Sequence, residues 1–201
     1  MKEQGEISRG GMSMYTAECD ILGLTPFGFS KAVSSQRKTN ERHDDYEERT
    51  WREKIHTDAE GNAFINPMAL KNCLSDCARF LSENVPGKGK ATYTKHFDAG
   101  VMVSVPLMLG VKSANVVAER LFVPSDGKKG GGKRVWKNFP KVDPWKTHAT
   151  ITVIDATIKP EKLQEYLNAA GQFIGLGYFR PRNGGFWGKF KIENFKIVRQ
   201  S

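Results

Sequence analysis

Residues 171–190 read GQFIGLGYFRPRNGGFWGKF, and the rest of the chain can be arranged around them. A helical pattern runs into this stretch and a strand pattern runs out of it. Between the two lie Gly175, Gly177, Gly184, Gly185 and Gly188, interleaved with Phe173, Tyr178, Phe179, Phe186 and Trp187 and with Arg180, Arg182 and Lys189. Glycine reaches positive φ and lets a ligand approach the backbone closely. Guanidinium groups fork onto phosphate oxygens, and aromatic faces stack on bases. Together they describe a helix–loop–strand unit whose loop amides and cations hold a nucleic-acid backbone. A mobile glycine-rich turn with a few buried aromatics would be written in the same letters, so the flanking elements carry the decision.

Outward from the loop, Pro160 opens a helix with Leu163, Tyr166, Leu167 and Ala170 on one side. Before it, residues 147–155 alternate Ala149, Ile151 and Val153 against His148, Thr150 and Thr152, the pattern of a strand with one buried face. After the loop, Phe190 and Ile192 alternate with Lys189, Lys191 and Glu193 as a closing strand. In the first half, Tyr15, Ala17, Cys19 and Ile21 alternate with Thr16, Glu18 and Asp20. Asn66-Pro67 is a helix start, an N-cap followed by proline at the first helical position. Leu70, Cys73, Leu74, Cys77, Ala78 and Leu81 then recur at helical spacing until Pro86-Gly87. A lysine-bearing loop at 87–96 follows. Val101, Val103 and Val105 read as a strand ending at Pro106, and residues 116–123 as another. This order predicts an α+β, ferredoxin-like (RRM-like) βαββαβ core. It forms a single domain over residues 1–201, with helices on one sheet face and the other face or its loops open to ligand.

Two long insertions interrupt this core, at about 31–62 and 124–146. The first carries dense mixed charge and reads as a solvated excursion with a short helix near Tyr46–Lys54, anchored by Tyr46 and Trp51. The second, PSDGKKGGGKRVWKNFPKVDPWK, holds Lys128, Lys129, Lys133, Arg134, Lys137, Lys141 and Lys146 against Asp126 and Asp143. Trp136, Phe139 and Trp145 are interleaved. It reads as a flexible finger extending over a ligand, with the basic and aromatic chemistry that suits single strands.

The 201 residues carry 31 Lys plus Arg against 22 Asp plus Glu, a net charge of +9 that favours an anionic partner. No apolar run reaches the roughly 18–20 residues of a membrane span, and the N-terminus has no signal-peptide core. A cytoplasmic protein without membrane contact is the expectation. Cys19, Cys73 and Cys77 form no disulfide framework and read as buried small hydrophobes. There is no P-loop and no metal-ligand spacing, so no cofactor is expected.

The glycine loop with its flanking helix and strand resembles the glycine-rich loop of the RAMP superfamily of CRISPR proteins. Residues 64–71, FINPMALK, resemble that superfamily's start of the first helix, where an apolar pair and proline precede a Leu-Lys pair. The 124–146 insertion resembles the thumb of the RAMP subunits that coat guide RNA. Met68 and Ala69 stand where small residues are usual, and the chain is short for most backbone subunits; a virus- or mobile-element-encoded relative is the alternative to an ordinary CRISPR effector subunit.

Three readings follow. In the first, a repeated subunit coats single-stranded RNA, guide RNA by the resemblance, and packs beside copies of itself and other ribonucleoprotein subunits. Lys71, Lys88, Lys90, Lys128, Lys129, Lys133, Arg134, Arg180, Arg182 and Lys189 would hold phosphates; Trp136, Phe179 and Trp187 would stack on or wedge bases. The second is a metal-independent RNA endonuclease of the RAMP type, which needs an acid and a base; His43, His56, His96 and His148 are the available histidines, and none sits in a catalytic frame. The third is a viral or mobile-element protein that binds single-stranded DNA. Separating RNA from DNA requires the 2′-hydroxyl contacts, which sequence does not display.

Overall fold

The computed structural model describes residues 14–125, 127 and 132–198. Strand β1 (Tyr15–Gly23) lies inside a four-stranded antiparallel sheet of order β4-β8-β1-β9, whose edge strand β4 is Val101–Met102. Its partners are β8 (Lys146–Val153), in register from Tyr15 opposite Val153 to Leu22 opposite Lys146, and β9 (Phe190–Val198). The alternation has its physical consequence: Ala17, Cys19 and Ile21 on β1 and Ala149, Ile151 and Val153 on β8 are buried on one face. A bulge in β9 resets the register between Glu18 and Asp20. There Asn194 takes a left-handed φ of 52°, which Asn tolerates better than most residues, and its side-chain amide donates across the strands to Asp20 Oδ2 at 2.7 Å.

Helices α2 (Pro67–Leu81) and α4 (Pro160–Ala169) cover that apolar face. Asn66 Oδ1 accepts from the Met68 amide at 2.9 Å, the N-cap anticipated from the sequence. Leu70, Cys73, Leu74 and Cys77 of α2 and Leu163, Tyr166 and Leu167 of α4 are fully buried. Burial pushes the Cys19 and Cys77 thiols up to about 12, so they behave as packing groups. The units β1–α2–β4 and β8–α4–β9 interlock, each with a strand of the other between its own pair. This is the ferredoxin-like fold.

Between these elements the chain departs from expectation. The second core strand, β4, is only Val101–Met102. Val103 is buried but Val105 is exposed, because the chain leaves the sheet edge before Pro106. Ahead of it, the predicted loop ends in a short helix, α3 (Thr94–Gly100), whose Phe97 stacks on Tyr166 at 4.4 Å. Leu107–Lys112 forms β5, paired with β3 (Asn62–Ile65).

The 124–146 stretch is not a flexible finger throughout. Arg134–Val142 is strand β7, which pairs with β6 (Val117–Pro124) along its whole length as a hairpin, and with β2 (Phe27–Gly28) on its other side. Phe139 and Trp145 are buried, leaving Trp136 as the exposed aromatic of the three. The 31–62 insertion is likewise not merely solvated. Its helix α1 (His43–Thr50) and following turn Trp51–Lys54 brace the hairpin. Glu47 Oε2 accepts from Lys54 Nζ at 2.7 Å and from the Asn138 amide at 3.2 Å, and Lys54 Nζ also donates to the Asn138 carbonyl. Trp51 and Ile55 are buried beneath this contact.

Candidate nucleic-acid interface

Helix α4 runs into a π-turn (Ala170–Ile174), and Gly175 leaves it with a φ of 73°. The loop that follows is tied to itself and to the segment around Pro26–Gly28. Tyr178 N donates to the Gly28 carbonyl, Gly188 N to Pro26, Trp187 N to Phe179, and Asn183 N and Gly185 N to Arg180. The expectation that these amides cradle phosphate is therefore corrected: most are already engaged. The glycines serve close packing instead. A Cβ on Gly185 would lie 1.8 Å from the Phe179 carbonyl oxygen, and one on Gly188 1.8 Å from that of Leu176. The loop is a rigid platform, and what it offers a ligand is side chains.

Trp187 is not one of them. It is 5% exposed, packed beside Gly28 and edge-on to Phe179 at 5.2 Å, because the tight loop folds over it. Phe186, 63% exposed, is open to solvent, although it was not among the expected stacking residues. Phe179 is half-buried against Phe139 and Tyr178.

Arg180 and Arg182 converge with α2. Asp76, on the outer side of that helix, is 3.2 Å from Arg182 Nε, 3.6 Å from Arg180 Nη2 and 3.1 Å from Arg79 Nη1. Arg79 also binds both oxygens of Asp98, and Lys71 Nζ donates to the Asp98 carbonyl and to Ser75 Oγ. Arg79, Arg180 and Arg182 thus surround the Asp76 carboxylate, Arg79 also holds that of Asp98, and Lys71 lies on the Asp98 carbonyl, so that four cations stand with two carboxylates. Arg79 was invisible as a site residue because in sequence it is one more charge on the polar side of a helix. Lys189 lies where the loop enters β9, its backbone amide donating to Thr25 Oγ1. Lys88 and Lys90 are elsewhere, on the exposed turn after α2, where Lys88 donates to Thr157 Oγ1.

The hairpin carries the second group. Phe122 and Trp136 are opposite each other across β6 and β7, 46% and 44% exposed, with ring centroids 5.2 Å apart. The Arg120 guanidinium lies over Trp136 at 5.1 Å and that of Arg134 over Phe122 at 5.4 Å. Period-two alternation puts these four side chains on one face, where Arg120 also pairs with Asp44 at 3.1 Å, and the cations and rings together suit phosphates and bases. Lys133 is exposed at the hairpin end; Lys128 and Lys129 lie outside the described residues. The hairpin and the glycine loop meet across a cleft of about 310 Å³.

The uncovered sheet face has a different character. It presents Glu18, Asp20 and Glu193 against Lys146, Lys191 and Lys196, and two of those lysines are paired, Lys191 with Glu193 and Lys196 with Glu18. His148 Nδ1 bonds Asp20 Oδ1 at 2.9 Å, and this bond, with that from Asn194, holds the Asp20 carboxyl below its ordinary range. The face bears no cation excess and no aromatic ladder, so the basic chemistry sits on the loops and the hairpin. A second pair, His96 Nδ1 with Asp155 Oδ2 at 2.6 Å, joins α3 to the segment after β8. Both pairs span distant positions that sequence alone could not connect. Among the described residues no group of three His, Cys, Asp or Glu side chains could hold a metal ion, and no helix is long and apolar enough to cross a membrane.

No protein-family profile matches this chain, and no curated protein matches it in sequence. Among solved structures it is similar to a chain in the cryo-EM structure of type III-B Cmr-beta bound to cognate target RNA, with 10% identity and a TM-score of 0.57 over 92% of this chain. The match covers 61% of that chain, so the present protein spans about three-fifths of its length. What the two share is the fold, the ferredoxin-like fold that the order of strands and helices predicted.

Proposed function

We propose that this protein binds single-stranded RNA along its phosphate backbone, as a repeated subunit of a ribonucleoprotein. The observation that carries the reading is that two groups of cations stand on or beside the two elements, glycine loop and hairpin, that meet at one cleft. One is the Lys71–Arg79–Arg180–Arg182 cluster beside the glycine loop; the other is the Arg120–Phe122–Arg134–Trp136 face of the hairpin. Cations with interleaved rings are the recurring solution for single strands. RNA is favoured over DNA because the fold is shared with a chain in an assembly described as bound to target RNA. The protein is a binder and not a nuclease in this reading: His148 pairs with Asp20 on the uncovered sheet face, and His96 pairs with Asp155 of the segment after β8.

Fluorescence anisotropy with labelled single-stranded RNA, repeated with DNA of the same sequence and at several salt concentrations, tests it. Log affinity is expected to fall linearly with log salt, RNA is expected to bind more tightly than DNA, and the RNA is expected to remain intact. Absence of binding at low salt, or indifference to salt, would overturn the proposal.

A further inference from the structure

We propose that the cleft between the hairpin end and the glycine loop is a pocket for one unstacked nucleobase, with Asn183 reading its edge. The inference rests on the RNA-binding reading above and adds a second contact to it. The cleft is lined by Val123 and Pro124 of β6, by Gly127, and by Tyr178, Phe179, Asn183, Gly184 and Gly185 of the glycine loop. None of these side chains carries a charge. Among the described residues the walls are mainly aromatic, apolar and bare backbone, which suits a planar, neutral ring.

At about 310 Å³ the space is at the small end of ligand pockets, which begin near ~300 Å³. One wall is aromatic and braced: Phe179 lies edge-to-face with Tyr178 at 4.6 Å, and Phe139 supports both, at 4.8 and 4.9 Å. Val123 and Pro124 contribute the apolar opposite side. Gly184 and Gly185 bring bare backbone, fixed by the left-handed φ of 76° at Gly184 and by the contact of Gly185 with Phe179. Extruded bases are held in this way, between aromatic and apolar side chains, with hydrogen bonds to one edge.

Asn183 supplies the edge contact. It is exposed at the end of a short 3₁₀ turn (Pro181–Asn183), and its backbone amide is engaged with Arg180. Its carboxamide makes no hydrogen bond with another described residue and offers a donor beside an acceptor. Adenine is the base whose edge an Asn carboxamide matches with two bonds. Arg180 and Arg182 on the same turn place phosphate ligands next to the pocket, so one loop would grip both parts of a nucleotide.

The test separates the two contacts. A strand of about ten nucleotides, within the range of single-strand site sizes, is made wholly of abasic sugar–phosphate units. A second strand carries one adenosine at its centre. The abasic strand reports backbone binding. The ratio of the two affinities reports the pocket and is expected to be about 5- to 150-fold, the range of one base stacked on an aromatic. In Asn183→Trp, which fills the cleft from an exposed position, the ratio is expected to collapse toward one. In Asn183→Ala it is expected to persist while the preference for adenosine over uridine is lost. If the abasic strand binds and adenosine adds nothing, or if the ratio survives in Asn183→Trp, the pocket is wrong and backbone binding stands. If neither strand binds, both proposals fall.

Discussion

Replacing Arg180 and Arg182 together with alanine isolates the contribution of the glycine loop. In the free protein both arginines contact Asp76, at 3.6 and 3.2 Å, and Arg79 remains to pair that carboxylate once they are gone. Partly exposed ion pairs of this kind contribute roughly 0–1 kcal/mol each, so the variant is expected to keep its fold. The effect on RNA is larger and has a particular form. Each phosphate neutralised on a single strand adds about 0.7 to the slope of log affinity against log salt. Losing two contacts lowers the slope by about 1.4, so that between 50 and 200 mM salt the wild type loses about sevenfold more affinity than the variant. Anisotropy titrations of both proteins over that range, with circular dichroism to confirm folding, measure the difference. Parallel salt lines would refute the reasoning: they would mean that the arginines serve only to hold the loop against α2 through Asp76.

Trp187→Ala is expected to destabilise the protein by about 3–5 kcal/mol, the cost of emptying a buried aromatic site, whereas Trp136→Ala is expected to weaken RNA binding with little change in the denaturant midpoint; the opposite pattern would reverse the roles assigned here. Removing the hairpin end between Pro124 and Arg134 and closing it with a two-residue turn is expected to spare binding to a strand one subunit long and to weaken assembly on longer ones, because neighbour contacts raise affinity only when copies share a strand; equal losses on both lengths, read by anisotropy and light scattering, would make the hairpin a simple clamp. Glu41, bound by Arg49 and the Lys38 amide, and Glu53, bound by Ser35 and Ser34, are both held down to about 2. A depressed carboxylate stabilises the fold above its unfolded value near 4.3 and loses that contribution as pH falls toward its folded value, so hydrogen exchange is expected to show residues 31–42 loosening between about pH 4.3 and 2; unchanged protection across that window would contradict these contacts.

The core was legible because its signals are local and periodic. Ala17, Cys19 and Ile21 alternate, and Leu70, Cys73, Leu74 and Cys77 recur at helical spacing, so burial on one face could be read directly. The Asn66-Pro67 cap and the glycine loop fixed two of the junctions. Strand β7 was hidden because both of its faces are mixed: Trp136 lies between Arg134 and Asn138 on one face, and Val135 and Phe139 flank Lys137 on the other. Helix α3 is too short for periodicity to register. At the site, Arg180 and Arg182 were evident from their loop, but Arg79, Phe122 and Asn183 become site candidates only when α2, β6 and the loop are brought together. Trp187 was misjudged for the complementary reason: an aromatic between glycines reads alike whether it faces solvent or fills the space the glycines leave.

The central claim is that RNA lies across the glycine loop and the hairpin and not on the uncovered sheet face. Photo-crosslinking of single-stranded RNA carrying 4-thiouridine, with the modified peptides mapped by mass spectrometry, tests it most directly. Adducts are expected on the peptides containing Phe122, Trp136, Phe179 and Phe186. Adducts concentrated on the strand containing His148, Thr150 and Thr152, with the loop and hairpin peptides unmodified, would contradict the account.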